Sequence, residues 1–155
     1  MEPWEIYRTS RGRLVQLAPT LTVEQLAAPL PATPPWTAED AYRHLTGVCV
    51  DVLAKNFPGA TLDGDAWTAA QIETRRDLDI DAVCAEWNEH APAIEDQIKA
   101  AGTAMCFLAF DTWTHAQDVR AAVGAPAIHD EPLVTSLAEY ALATFRGSYA
   151  KSGAP

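Results

Sequence analysis

The sequence predicts an all-α protein, a bundle of four principal long helices with short extra helices. Three observations favour this fold class. Apolar residues recur at steps of three and four along several segments, which is the period of an amphipathic helix. Capping residues, prolines and glycines punctuate these segments, and the strict alternation typical of strands is scarce. Helices that each carry one apolar stripe bury those stripes against one another, so a bundle is expected.

The individual helices are predicted from caps, apolar periods and stop residues. Thr22 and Gln25 have the capping-box form, which predicts a short helix that ends before the four prolines of residues 29–35, a predicted loop. Pro92 is expected to bend or split the helix that contains it. Gly124 is a predicted C-terminal cap. The other predicted helices cover residues 4–18, 37–56, 68–76 with Thr68 as N-cap, 80–101, 103–123 and a last segment capped by Asp130.

Length and charge limit the class of protein. The 155 residues fit a single domain over 1–155, with a globular composition. A formal charge of -10 repels phosphate backbones and anionic lipid surfaces, so we expect neither nucleic acid nor a membrane as a partner. Residues 1–10 lack the basic, apolar pattern of a signal peptide, and no segment has the roughly 18–20 apolar residues of a membrane helix. These features predict a cytoplasmic protein.

The cysteines are predicted to be structural. Cys49, Cys84 and Cys106 are far apart and each lies in an apolar helical context. An odd number without paired spacing favours reduced thiols buried in the core over a disulfide framework or a zinc knuckle.

Ionisable residues on apolar helix faces are the main functional signal. Asp111 and His115 are four residues apart, so they lie on one face of a helix, within an apolar stripe. His44 lies in line with apolar residues of the 37–56 helix and can also face the core. A buried carboxylate needs a compensating partner. The three side chains therefore predict a metal site with two nitrogen ligands, one oxygen ligand and open positions for water, substrate or thiolate.

Each of these residues also has a purely structural interpretation. His44 can be a hydrogen-bonded core histidine. The Asp111 and His115 pair can be an ordinary intrahelical contact of about 0.2–0.5 kcal/mol. His90 and His129 are predicted to face solvent and are left out of the site.

Three segments, in this order, resemble a known family: WTAEDAYRHLTG at 36–47, WTAAQIETR at 67–75, and DTWTHAQDVR at 111–120 followed by Gly124 and Pro126. They resemble the N-terminal metal-binding domain of mycothiol-dependent maleylpyruvate isomerases, which belong to the DinB-like superfamily of four-helix bundles. The resemblance extends from about Gly12 to Pro126.

The resemblance implies an up-down-down-up bundle, a divalent metal ion and a low-molecular-weight thiol cofactor. Carried over by position, the metal ligands are His44, Asp111 and His115. Zinc is the first expectation for the ion, with nickel, manganese or iron as alternatives, and mycothiol or a similar thiol is the expected cofactor. The family more usually has Glu at the position of Asp111, so the carboxylate here reaches about one methylene less.

Arg75 falls on the family's Gln-x-x-x-Arg position, one helical turn after Gln71. Its planar fork would bind a carboxylate of substrate or cofactor there. The alternative is a surface arginine that pairs with Asp77 or Asp79.

Two other assignments concern the surroundings of the metal site. Asp118 is a candidate for a hydrogen bond near the ligands that fixes a histidine tautomer, with Arg120 as its ion-pair partner. Trp113 is the tryptophan expected at the mouth of a pocket.

The expected function is a metal-dependent thiol S-transferase or isomerase whose partners are a small-molecule thiol and an electrophilic substrate. The family isomerases continue into a C-terminal domain that this sequence, ending at Pro155, is expected to lack, so isomerase activity does not follow directly. Two alternatives stay open. One is a non-catalytic metal-binding or homodimerising bundle. The other is a non-haem iron oxygenase, whose ligands usually come from strands.

Overall fold

The computed structural model describes residues 1–57 and 64–152, with side chains up to residue 143. Within these ranges every regular element is a helix, which confirms the all-α class. Short 3₁₀ turns cover Ala18–Thr20 and Gly102–Met105. The α-helices are α1 (Pro3–Leu17), α2 (Val23–Leu26), α3 (Ala38–Ala54), α4 (Gly64–Thr74), α5 (Ile80–Ala101), α6 (Cys106–Ala122) and α7 (Glu131–Ser152).

Helix ends follow the predicted capping chemistry at several places. Thr22 forms a capping box with Gln25 at the start of α2. Thr37 forms the same motif with Asp40 at the start of α3. Gly124 has φ = 72° and follows α6 as predicted. The amide of Ala125 bonds to the carbonyl of Arg120 and that of Gly124 to Ala121, at 2.8 and 3.4 Å, which is the Schellman pattern.

Two predicted helix starts are wrong. Thr68 is not an N-cap, because α4 begins at Gly64 and places Thr68 in its second turn. The indole nitrogen of Trp67 donates to the carbonyl of Asn56 at 3.0 Å, and this tertiary bond holds the first turns of α4 beside the end of α3. The apolar segment expected to be helical from residue 103 begins as a 3₁₀ turn and becomes α-helical only at Cys106.

Helix α5 runs through Pro92 without a break, so the predicted split does not occur. Pro92 lies on the exposed side of the helix. On the opposite side Trp87, Ala91 and Ile94 are completely buried, so core packing stabilises the helix on both sides of the proline.

The core forms where four helices meet. Helix α1 packs against α5 and α6, and α3 also packs against α5 and α6. The polar ends of large core side chains are satisfied: the hydroxyl of Tyr42 donates to the carbonyl of Leu14, and the indole of Trp87 donates to the hydroxyl of Tyr7, both at 2.9 Å. This packing places α3 beside α6, which are the two helices that carry the predicted metal ligands.

Helices α4 and α7 pack on the outside of these four helices. Helix α4 packs on α3, and α7 packs on α6 and adds the buried Leu133 and Leu137 to the core. The N-terminal amine of Met1 donates to the hydroxyl of Ser136 at 2.7 Å, and the hydroxyl of Tyr140 donates to the carbonyl of Met1 at 2.9 Å. These bonds tie α7 to the start of the chain. Among the described helices, none combines the length and apolar character that crossing a membrane requires.

Candidate metal centre

The structure brings His44, Asp111 and His115 together between α3 and α6. The Nε2 atom of His44 lies 3.5 Å from Oδ2 of Asp111, and Nε2 of His115 lies 3.5 Å from Oδ1 of the same carboxylate. The three donor atoms lie within 4.8 Å of one another. The carboxylate therefore stands between two imidazoles that come from different helices.

The two nitrogen–oxygen separations are compatible with a shared divalent metal ion. At 3.5 Å, both nitrogen–oxygen separations exceed the usual hydrogen-bond range. A tetrahedral ion with bonds of about 2.0–2.2 Å would hold neighbouring ligand atoms about 3.3–3.6 Å apart. Two imidazoles and a carboxylate are also a common zinc donor set, and three protein ligands leave a position for an exogenous group. Despite its shorter side chain, the carboxylate of Asp111 lies 3.5 Å from both imidazoles, through a different oxygen for each.

Trp36 covers both imidazoles. Its ring stacks on His115 with centroids 5.5 Å apart and planes at 19°, and it lies 5.0 Å from the ring of His44 at 52°. The proline-rich loop holds Trp36 in place, because the amide of Leu30 donates to the carbonyl of Trp36 at 2.9 Å. The indole therefore packs over both imidazoles and limits how far either can rotate.

Burial of His115 lowers the pKa of its imidazole below the ordinary value of 6.5, although the carboxylate of Asp111 opposes this shift. Proximity to His44 lowers the pKa further. A neutral imidazole keeps the lone pair that a metal ligand needs, so His115 can act as a ligand at neutral pH.

Two further residues, Gln71 and Asp51, lie behind His44, and the sequence did not assign either of them to the site. Oε1 of Gln71 lies 2.9 Å from Nδ1 of His44, and Nε2 of Gln71 donates to Oδ2 of Asp51 at 2.8 Å. In the sequence, Gln71 belongs only to the Gln-x-x-x-Arg pattern. The spacing of Asp51, two helical turns after His44 on α3, was the available signal for its place on the same face.

The three donors open onto a cavity of about 730 Å³ between α3, α4, α6 and α7. Its walls are largely apolar and include Trp36, Trp67, Phe107 and Phe110. Cavities of this size and character are typical of small-molecule sites.

The lining of this cavity contradicts two predictions, one for Trp113 and one for Cys106. Trp113 does not line it, because two positions along a helix rotate its side chain about 200° away from Asp111. Trp36 and Trp67, from the proline loop and α4, line it instead. Cys106 is only half-buried and lines the cavity, whereas Cys49 and Cys84 are buried core thiols as predicted.

Arg75 has a partner that the sequence did not predict. It is 5% exposed, and its Nε and Nη2 atoms donate to the two carboxylate oxygens of Glu86 at 2.8 Å each. Its Nη1 donates to the carbonyl of Gln71 at 3.1 Å. The pairing with Asp77 or Asp79 is therefore wrong. Arg75 is not among the residues that line the cavity, and its role in binding an anion stays a prediction.

Asp118 holds the proline loop rather than a histidine. Its Oδ1 accepts the amide of Ala32 at 3.0 Å, and its Oδ2 has no hydrogen-bond partner among the described atoms. Arg120 does not pair with it, because Nε of Arg120 donates to the carbonyl of Pro126 at 2.6 Å. The predictions that Asp118 fixes a histidine tautomer and pairs with Arg120 are therefore wrong.

His90 and His129 lie outside the candidate site, as predicted. His129 is exposed and His90 is half-buried, and neither joins the donor group.

Comparison of the chain with protein-family models, with curated proteins and with solved structures finds no match.

Proposed function

We propose that the protein is a divalent-metal-dependent enzyme of the cytoplasm that adds a small thiol, of the mycothiol type, to an electrophile or uses that thiol to isomerise one. The observation that carries this proposal is the donor group of His44, Asp111 and His115 at the wall of a largely apolar cavity. The sequence segments that resemble the maleylpyruvate isomerase family support the thiol chemistry. The packing of α1, α3, α5 and α6 supports a DinB-like up-down-down-up bundle.

The chain's own residues supply the binding and the environment. His44, Asp111 and His115 would hold the ion, and Trp36 packs over both imidazoles and keeps them oriented. A bound divalent ion lowers the pKa of a thiol or water ligand toward neutrality. The aromatic walls formed by Phe107 and Phe110 favour a substrate with an apolar body, which would be buried next to the metal centre.

Metal binding is the first test. We expect Zn²⁺ to bind the wild-type protein with one-to-one stoichiometry in calorimetry. His44→Ala and Asp111→Asn should abolish this binding, whereas His129→Ala removes an exposed histidine outside the site and should leave it unchanged. Co²⁺ in the same site should give the strong visible absorption of four-coordinate cobalt. Wild-type protein that binds no divalent ion stoichiometrically contradicts the proposal.

Thiol chemistry is the second test. Metal-loaded protein should consume mycothiol in the presence of an apolar electrophile, followed as loss of free thiol and formation of the conjugate. With maleylpyruvate the thiol should be regenerated and the trans isomer should accumulate. If metal-loaded protein catalyses neither reaction, the result contradicts the thiol chemistry and favours a non-catalytic function.

A non-catalytic, homodimerising bundle is the alternative, and two exposed aromatic residues favour it. Phe107 and Phe110 lie about one turn apart on α6 and are 48% and 44% exposed, and clustered exposed apolar side chains are a mark of protein–protein interaction sites. If a second copy covers them, light scattering should show a dimer that Phe107→Ser and Phe110→Ser convert to a monomer. Phe57→Ser changes another exposed phenylalanine, away from the cavity lining, and should leave the mass unchanged.

A further inference from the structure

A chain of hydrogen bonds runs from α3 to α4 and back to α3 behind the metal centre. Asp51 is joined to the amide of Gln71, and Gln71 is joined to the imidazole of His44. Gln71 is 3% exposed and His44 is 6% exposed, so water cannot readily replace either partner.

The chemistry of Asp51 gives this chain a direction. An ionised carboxylate only accepts hydrogen bonds, so the group of Gln71 that faces it must be the NH₂. The second oxygen of Asp51 also accepts, from Nδ2 of Asn56 at 2.9 Å. The carbonyl oxygen of Gln71 is then left to face His44.

This direction determines where the imidazole proton sits. The oxygen of Gln71 can only accept, so Nδ1 of His44 must donate and carries the hydrogen. In a neutral imidazole the other nitrogen then has no proton. That nitrogen, Nε2, faces the carboxylate of Asp111 at 3.5 Å.

Close packing keeps Gln71 in place. A Cβ built on Gly47 would lie 2.4 Å from Cβ of Gln71, so α4 can approach α3 this closely only because position 47 has no side chain. The guanidinium of Arg75 bonds to the backbone carbonyl of Gln71 and is itself held by Glu86. The amide therefore has little freedom to move away from His44.

We propose that Asp51 and Gln71 are positioning residues. They hold His44 in the tautomer that carries its proton on Nδ1 and directs an unprotonated Nε2 at Asp111. The proposal deepens the proposed function, since a bare Nε2 is what a metal ligand requires, but the tautomer itself needs no metal. Partners of this kind typically change metal affinity by about 10–100-fold when they are removed.

The first experiment measures the tautomer in metal-free protein. Nitrogen-15 chemical shifts of the His44 ring, followed with rising pH until they stop changing, distinguish a protonated from a bare nitrogen in the neutral ring. We expect a protonated Nδ1 and a bare Nε2 in the wild-type protein. Gln71→Leu should give a mixture of tautomers, whereas Gln16→Leu, at an exposed glutamine of α1, should match the wild type.

The second experiment exchanges hydrogen-bond donor and acceptor between positions 51 and 71. The side chain introduced by Asp51→Asn can either donate or accept a hydrogen bond, so the side-chain amide of Gln71 loses its fixed orientation. The neutral ring of His44 should then be a mixture of its two tautomers. Adding Gln71→Glu restores a defined chain, because Glu at 71 accepts both from Asn at 51 and from Nδ1 of His44. The double variant should recover the wild-type tautomer. The Zn²⁺ affinity should fall about 10–100-fold in Asp51→Asn and recover in the double variant.

The outcomes separate this inference from the proposed function. A wild-type His44 protonated on Nε2 overturns the inference. So does an unchanged tautomer in folded Gln71→Leu and Asp51→Asn proteins. If the tautomers behave as expected while no ion binds, the inference stands and the proposed metal function falls.

Discussion

Gly47 of α3 and Gln71 of α4 approach so closely that a Cβ on the glycine would lie 2.4 Å from Cβ and 2.8 Å from Cγ of the glutamine. Atoms of this kind do not pack at such distances, so the absence of a side chain at position 47 sets the separation of the two helices. The glycine of the segment that resembles the family thus has a structural role: it lets the helix that carries Gln71 reach the imidazole of His44.

The Gly47→Ala substitution should push α4 away from α3. Overpacking of this kind costs about 1–3 kcal/mol of unfolding free energy, measured by chemical denaturation. The substitution should also weaken Zn²⁺ binding, because Gln71 moves away from His44. Gly12→Ala is the matched control, since no atom lies within 4 Å of a Cβ built there. Alanine inside helix α1 should be neutral or stabilising by up to about 1 kcal/mol. Equal effects of the two substitutions would contradict this account.

Arg75→Met should destabilise the fold through the loss of the pair with Glu86. Removing one partner of a buried ion pair costs about 3–5 kcal/mol, and the partial exposure of Glu86 reduces our expectation to about 2–3 kcal/mol. Arg76→Met changes the adjacent arginine, which makes an exposed pair with Glu73, and should leave the melting temperature unchanged. A double-mutant cycle with Glu86→Gln should show coupling. Additive effects in that cycle would mean that Arg75 acts through another group, such as a bound anion.

The three thiols should differ in reactivity. Burial raises the pKa of Cys49 and Cys84 to about 11, so both stay protonated and shielded in the native protein at about pH 8. Cys106 lines the cavity and should be the residue that iodoacetamide alkylates, as shown by peptide mass spectrometry. In denaturant all three should react. Because a raised folded pKa favours the native state only while the thiol is protonated, this contribution to stability is present below about pH 9 and lost as the pH rises through 11. Rapid native labelling of Cys49 would contradict its burial.

Thr37→Ala should remove the N-cap of α3. The hydroxyl of Thr37 accepts the amide of Asp40 at 3.2 Å, and the carboxylate of Asp40 accepts the amide of Thr37 at 3.0 Å. Loss of such a cap costs about 1 kcal/mol, measured by thermal unfolding. Thr22→Ala removes an equivalent cap from α2, a helix of four residues that buries no side chain, and should have a smaller effect. A larger effect at Thr22 would mean that α2 contributes more to stability than its burial indicates.

The sequence by itself determined the helices, several of their ends and the grouping of acid and imidazole on α6. Helix period, capping boxes and a glycine stop depend on residues a few positions apart, so Thr22 and Gly124 could be assigned without a fold. The spacing of Asp111 and His115 places both on one face for the same local reason. His44 could be added because its helix also has one apolar face.

Only the tertiary structure decided which side chains meet across helices. The rotation and separation of two helices depend on all the side chains between them, so the partners Glu86 for Arg75 and Gln71 for His44 could not be derived from spacing. Trp36 illustrates the same limit, because its place over the imidazoles comes from the loop that carries it. Local chemistry thus sets what each helix offers, and packing sets which of those groups become neighbours.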